Sequence, residues 1–118
     1  RTNTPLQALV TLNDMHFVEA ARKLSERIMH EGGTDFATRV NHAFRLCMSR
    51  DATNEEMAVC RSVYEKQLTS FQATPAAAKA FLQVGDSARD ENLDVVEHAA
   101  YTVLTSMILN LDEVLTRG

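Results

Sequence analysis

Apolar side chains recur at three- and four-residue spacing along almost the whole chain, and this periodicity constrains the fold more than any other feature. At 3.6 residues per helical turn, such spacing places the apolar residues on one helix face. The chain contains only two prolines and four glycines, so few positions interrupt the pattern. The sequence therefore predicts an all-α fold, a single helical bundle of about five helices that forms one domain over residues 1–118.

The predicted helices differ in length and in the width of their apolar faces. They cover residues 5–30, 35–48, 75–84 and 94–115, together with a helix that follows Thr53 and carries Phe71 on its buried face. Asn13 interrupts the apolar stripe of the first helix, so that helix is either continuous or broken near Asn13 and Asp14. The last helix has the broadest apolar face, which predicts that it is the most buried. The buried face of the fourth is predicted to consist of Ala77, Ala80, Phe81 and Val84.

The predicted helix starts share one chemistry. Thr-Pro pairs occupy positions 4–5 and 74–75, where threonine suits the N-cap and proline suits the first helical position. Thr53 and Glu56 have the spacing of a capping box. Gly32 and Gly33 predict the end of the first helix.

The charge balance and the apolar runs restrict the partners of the chain. It has 12 Lys and Arg against 16 Asp and Glu, a net charge of −4, which argues against nucleic acid because phosphate binding requires a basic face. The most apolar stretch, residues 99–111, is shorter than the roughly 18 residues of a membrane-spanning helix. The sequence therefore predicts neither nucleic acid binding nor membrane insertion.

The residues that commonly carry chemistry form no recognisable motif. Cys47 and Cys60 lie at apolar helical positions and are predicted to be buried free thiols, with a disulfide as the alternative in an oxidising compartment. No two histidines have the spacing of a metal-ligand pair, His16 and Glu19 on adjacent turns are more simply surface residues than metal ligands, and no glycine-rich loop opens a helix. We predict no catalytic residue, no metal ligand and no cofactor for this chain, so the isolated domain is not expected to be an enzyme.

Polar residues on apolar faces are the remaining candidates for a site. Asn13 and Asn110 lie on the predicted apolar faces of the first and last helices, where a buried amide requires hydrogen-bond partners. They form either a structural pair or part of an interface with other domains. Arg45 is predicted to anchor Asp14 or Asp112 in the same region.

Several segments of the chain resemble one protein family. The first motif is Arg-x-Asn-Thr-Pro-Leu-Gln-Ala-Leu, which includes Asn3, followed by Leu-Asn-Asp at 12–14. The match continues through residues 17–22, 43–46 and 50–56 and closes with Leu-Asn-Leu-Asp-Glu-x-Leu-Thr-Arg at 109–117. These motifs resemble the final segment of a planctomycete family of large proteins that often carry a cytochrome-c-like domain near the N-terminus. The family often has proline where this chain has Met15.

The resemblance implies a cellular setting but no activity. It implies that the chain is the C-terminal part of a multidomain protein exported to the periplasm or cell surface. No haem-attachment signature lies in this sequence, and the resemblance assigns no reaction to any residue. The implied partners are the upstream domains of the same polypeptide, and a homodimer of the excised chain is an open alternative.

Three functional hypotheses follow. In the first, the chain is a non-enzymatic packing or interaction module that exposes an apolar patch near its first helix. In the second, Asn13, Asp14, Arg45 or Asn110 completes an active site with upstream domains, which acts on a polysaccharide or a sulfated polymer. In the third, the acidic residues between Asp86 and Glu97 dock a redox partner.

Overall fold

The computed structural model describes residues 15–83 and 88–117, which form five helices and no strand. The helices are α1 (Met15–Glu31), α2 (Phe36–Met48), α3 (Asn54–Ala73), α4 (Pro75–Leu82) and α5 (Val95–Arg117). This arrangement confirms the prediction of an all-α bundle. The predicted start of the first helix, and the choice between a continuous and a broken helix near Asn13 and Asp14, lie outside the described residues. No helix in the described ranges is long and apolar enough to cross a membrane.

Side-chain caps begin three of the helices. The Asp35 carboxylate accepts from the Thr38 N–H at the start of α2, and the Asp94 carboxylate accepts from the Glu97 N–H at the start of α5. At the start of α3, the Thr53 hydroxyl and the Glu56 side chain each accept from the other residue's N–H, which confirms the predicted capping box.

Thr74 is the N-cap residue of α4 and Pro75 occupies the first turn, as predicted, but the Thr74 hydroxyl makes no capping hydrogen bond. Thr74 is also the residue that ends α3, where its N–H donates to the Phe71 carbonyl at 3.1 Å. Its ψ of 75° departs from the extended geometry of an N-cap, so a residue shared by two helix ends does not adopt the conformation that side-chain capping requires.

Helix α5 lies at the centre of the bundle and contacts all four other helices. Every residue from 98 to 106 is buried, which confirms the prediction that the last helix is the most buried. The main core joins α5 to α1, α2 and α3 through Ile28, Met29, Val40, Ala43, Phe44, Cys60, Val63, Tyr101, Val103, Leu104 and Ile108. The first three helices therefore bury their apolar faces against a helix that follows them in the chain.

The buried face of α4 differs from the predicted one. Ala78 and Leu82 are fully buried, whereas Ala77 and Ala80 are exposed and Phe81 is half-buried against Phe71. Val84 lies outside the described residues. In a helix of eight residues that is rich in alanine, the apolar pattern is nearly the same on several faces, so packing against Ala99 selected the face that contains Leu82.

A tight turn joins α1 to α2. Gly32 donates its N–H to the Ile28 carbonyl at 2.8 Å, and Gly33 adopts a left-handed backbone with φ of 79°. Both observations confirm the predicted helix end. Arg39 on α2 donates to the Gly33 and Met29 carbonyls and lies over the Tyr101 ring, so it ties the turn to α5.

Replacing Gly32 with alanine is expected to destabilise the protein by about 2 kcal/mol. A Cβ at this position would lie 2.6 Å from the Ile28 carbonyl oxygen and 3.0 Å from the Arg39 Cα, and both atoms are backbone. Thermal unfolding followed by circular dichroism would measure the loss. Gly33→Ala is the matched control, because its nearest contact is a methyl group at 3.7 Å and only the positive φ opposes it. A Gly33→Ala loss equal to or larger than that of Gly32→Ala would contradict this steric account.

Candidate functional site

Hydroxyl groups link α1 to α5 across the centre of the bundle. The Ser25 and Thr102 hydroxyl oxygens are 2.9 Å apart, and the Thr105 hydroxyl donates to the Ala21 carbonyl at 2.7 Å. Ser25, Thr102 and Thr105 are all 0% exposed. Because each hydroxyl is paired, these residues join two helices without leaving an unsatisfied polar group in the core.

Arg22 lies at one edge of this contact and is almost completely buried. Its guanidinium donates to the Leu82 carbonyl at the end of α4, with a distance of 2.8 Å. The same group lies 3.8 Å from the Glu19 carboxylate and 4.0 Å from the Glu26 carboxylate, while its own side chain is only 1% exposed. Arg22 therefore links α1 to the last carbonyl of α4, one of the carbonyls at a helix end that have no partner within their own helix.

Glu26 holds the segment that precedes α5 against α1. Its Oε2 atom accepts from the Asp90 N–H at 3.1 Å. The Asp90 carboxylate in turn contacts His30 Nε2 on α1 at 2.6 Å and accepts from the Asn92 N–H at 2.9 Å. The His30 contact and the Asn92 hydrogen bond lower the pKa of Asp90. Residues 88–94 are thus attached to α1 at one backbone amide and at one carboxylate.

His98 lies behind Glu26 and is 0% exposed. Its Nε2 atom is 3.5 Å from Glu26 Oε2, which is too long for a good hydrogen bond, and neither ring nitrogen meets hydrogen-bond criteria in this structure. Burial lowers the pKa of His98, although the Glu26 carboxylate and the Arg22 backbone act in the opposite direction. Burial therefore favours the neutral form of the imidazole.

These four residues, Glu19, Arg22, Glu26 and His98, form what we call the polar cluster. A neutral histidine beside a carboxylate resembles an acid–base pair, but catalysis requires that a substrate reach it, and His98 has no exposed surface. Arg22 and Glu26 also hold backbone groups of other segments. Among the described residues, no group of three or more His, Cys, Asp and Glu is placed to hold a metal ion. The geometry of the polar cluster therefore suits cross-linking of helices better than chemistry.

None of the described site residues that the sequence predicted belongs to the polar cluster. Asn3, Asn13 and Asp14 lie outside the described residues, so their expected contacts stay predictions. Arg45 is exposed and pairs with Asp51 in the α2–α3 connection, which is neither of the two partners expected for it. Asn110 and Asp112 are half-buried near the end of α5.

Both cysteines are free thiols, as predicted, but they differ in burial. Cys60 is 1% exposed in the main core, and burial raises its pKa to about 12. Cys47 is half-buried, and burial together with the nearby Asp112 carboxylate raises its pKa. Neither thiol is activated as a nucleophile, because activation requires a lowered pKa.

The sequence analysis did not identify the polar cluster. Residues 18, 21, 22, 25, 28 and 29 of α1 are all buried, so the buried stripe follows helical spacing and includes Arg22 and Ser25. The available signals were the Glu19, Arg22 and Glu26 spacing, which permits ion pairs within a helix, and the polar residues within the apolar stretch of α5. Arginine and glutamate at such spacing usually mark an exposed face, so the pattern alone did not indicate burial.

Comparison with known proteins identifies a family. A family model described as PSD1, protein of unknown function (DUF1553), matches residues 1–64, more than half of the chain. The matched span ends inside α3, so it includes α1 and α2 but not α4 or α5. No curated protein and no solved structure matches the chain.

Proposed function

This chain belongs to the PSD1 family of proteins of unknown function, and we propose that it serves as a non-enzymatic packing and interaction module within a larger polypeptide. One observation carries this proposal. In the polar cluster, the buried Arg22 binds the Leu82 carbonyl and Glu26 binds the Asp90 N–H, so both side chains hold backbone groups of other segments. Charged groups committed in this way stabilise a scaffold, and they are not free to bind a substrate.

The proposed partner is the part of the same polypeptide that precedes this chain. The resemblance to planctomycete proteins with a cytochrome-c-like domain suggests this partner and an exported parent protein. Exported proteins meet an oxidising environment, and the free Cys47 and Cys60 are compatible with it, because burial protects one thiol fully and the other partly.

The proposed contact surface lies on α2 and α3. Among the described residues, Leu46 at 38% exposed and Val59 at 54% exposed are the large hydrophobic side chains that remain accessible. Between residues 18 and 31, the exposed side chains of α1 are Ala20 and charged or histidine side chains, so the apolar patch expected near the first helix stays a prediction for the residues before them. Both Leu46 and Val59 lie within the span that matches the family.

The other two hypotheses receive less support. The residues expected to complete an active site do not gather among the described residues, since Arg45 pairs with Asp51. In the acidic segment, Asp90 is bound by His30 and Asp94 caps α5, so two of its carboxylates already have local partners. A redox-docking surface requires carboxylates that face solvent without such partners.

Calorimetric titration of this chain against the separately expressed upstream region, at low and at high salt, tests the proposal. We expect salt-insensitive binding that weakens at least about tenfold, or about 1.4 kcal/mol, in the double variant Leu46→Ser and Val59→Ser, because burial of each side chain contributes about 1.5–3 kcal/mol. Substitution of the exposed polar residue Ser70 by aspartate is the control and should leave binding unchanged. Absence of association at both salt concentrations would remove the packing function, and binding only at low salt would favour redox docking.

A further inference from the structure

Residues 88–94 are attached to α1 at two points with different chemistry. The first is a backbone attachment, in which Glu26 Oε2 accepts from the Asp90 N–H at 3.1 Å. The second is a side-chain attachment, in which His30 Nε2 lies 2.6 Å from Asp90 Oδ2. Asp90 therefore donates its amide to Glu26 and contacts His30 through its carboxylate, and these two α1 residues are one helical turn apart.

His98 lies beside the carboxylate that makes the backbone attachment. The ring lies 3.5 Å from Glu26 Oε2, on the same oxygen that accepts from Asp90. The ring is fully buried, and its other polar neighbour is the Arg22 backbone. A protonated ring needs acceptors for two N–H groups, so it gains from a closer Glu26 carboxylate.

The charged groups around His98 come from two segments. Arg22 and Glu26 face it from α1, with Glu19 beyond Arg22, and Arg89 and Asp90 act on it from residues 88–94. Helix α4 reaches the polar cluster through the Leu82 carbonyl, and its Lys79 is exposed. On α5 itself, the Asp94 carboxylate caps Glu97, and Glu97 acts on Tyr64. Among the described groups, Glu26 is the carboxylate closest to the ring.

We propose that His98 and Glu26 form an acid-sensitive latch, in which protonation of His98 draws the Glu26 carboxylate away from the Asp90 amide. The proton comes from solvent and adds to the ring nitrogen that lacks one, so both nitrogens then carry N–H groups. The imidazolium and the carboxylate form a charge-assisted hydrogen bond of about 2.7–2.9 Å, and the Asp90 N–H loses its acceptor.

The side-chain attachment does not depend on Glu26. The His30 contact and the Asn92 hydrogen bond lower the pKa of Asp90, which favours its ionised carboxylate. Opening the latch therefore removes the backbone attachment at Glu26 and leaves the Asp90 carboxylate against His30.

The sign of the pH effect follows from burial. Because the folded pKa of His98 lies below its ordinary value of about 6.5, the unfolded chain binds more protons between these two values. Stability is therefore highest above about pH 6.5 and falls as the pH drops toward the folded value. The latch opens at lower pH, around and below the folded pKa, because it requires protonation of His98 within the folded protein.

Amide hydrogen exchange of the whole chain, measured by NMR and corrected for intrinsic rates, tests this proposal. Protection of the Asp90 amide should fall about tenfold between about pH 7.5, above the ordinary histidine pKa, and a pH below the point at which the His98 ring resonances titrate in the same spectra. Glu26→Gln keeps an oxygen acceptor for that amide but removes the charge that attracts the imidazolium, so its protection should not depend on pH. His98→Gln should behave in the same way.

His42→Gln is the matched control, because His42 also contacts an α1 glutamate, Glu31, at 3.0 Å but lies outside the latch. It should keep the full response of the unaltered protein. A tenfold fall that persists in Glu26→Gln or in His98→Gln would overturn the proposal. A fall of less than about threefold in the unaltered protein would overturn it as well. If His98→Gln does not fold, Glu26→Gln alone decides, since its carboxamide fits the same space.

Discussion

A chain that ends at Tyr64, and so contains only the span that matches the family, is expected to lack a cooperative unfolding transition. The apolar faces of α1, α2 and α3 pack on α5, where residues such as Leu104 and Ile108 are 0% exposed. Without α5 those faces are open to water, and isolated helices of 12 to 15 residues are marginal. Circular dichroism during a urea titration would show low helicity and a gradual slope instead of a sigmoidal transition.

The control for this truncation is a chain that ends at Asp112, which keeps the buried part of α5 from His98 to Ile108. It should unfold cooperatively, like the whole chain. If the chain ending at Tyr64 unfolds cooperatively with native-like helicity, then the family span is a folding unit by itself and α5 is an accessory. The expected result instead implies that the structural unit extends past the matched residues.

Replacing Arg22 with alanine is expected to destabilise the protein by about 3 kcal/mol. The substitution removes the donor to the Leu82 carbonyl and leaves Glu19 and Glu26 without their buried cation, at distances of 3.8 and 4.0 Å. Removing one partner of a buried ion pair costs more than the pair itself contributes, because the remaining charge is poorly solvated. The free energy of unfolding from urea titration measures this loss.

Arg27→Ala is the matched control on the same helix. Arg27 also pairs with a glutamate four residues away, Glu31 at 3.0 Å, but its side chain is 56% exposed. Surface pairs of this kind contribute little, so this variant should unfold near the midpoint of the unaltered protein. Equal losses for Arg22→Ala and Arg27→Ala would mean that burial of Arg22 adds nothing to stability.

The helix positions were largely predictable because local chemistry determines them. The capping box at Thr53 and the glycine turn after α1 are interactions between residues close in the chain, so their sequence pattern is nearly sufficient. The central position of α5 was also predictable, because a broad apolar face can be buried only by neighbours on several sides. The short α4 was harder, since its alanines do not distinguish one face from another.

The polar cluster was not predictable from local pattern. Glu19, Arg22 and Glu26 have the spacing of an ordinary exposed face, and His98 follows Glu97 in what reads as a first helical turn. Their burial depends on α4 placing the Leu82 carbonyl beside Arg22, 60 residues away in the chain, and on Asp90 placing its amide beside Glu26. Such contacts between distant residues leave no periodic signal.

The amino-acid sequence alone determined that the described residues are helical, where their helices begin and end within a few residues apart from the start of the first, and which helix is central. Those properties follow from hydrogen bonds and apolar spacing within single segments. Tertiary packing decided which charged residues are buried, which face of α4 turns inward, and that Arg45 pairs with Asp51 in the α2–α3 connection. The physical reason is that a charge can be buried at low cost only when a group from another segment pairs with it. Only the assembled fold brings those segments into contact.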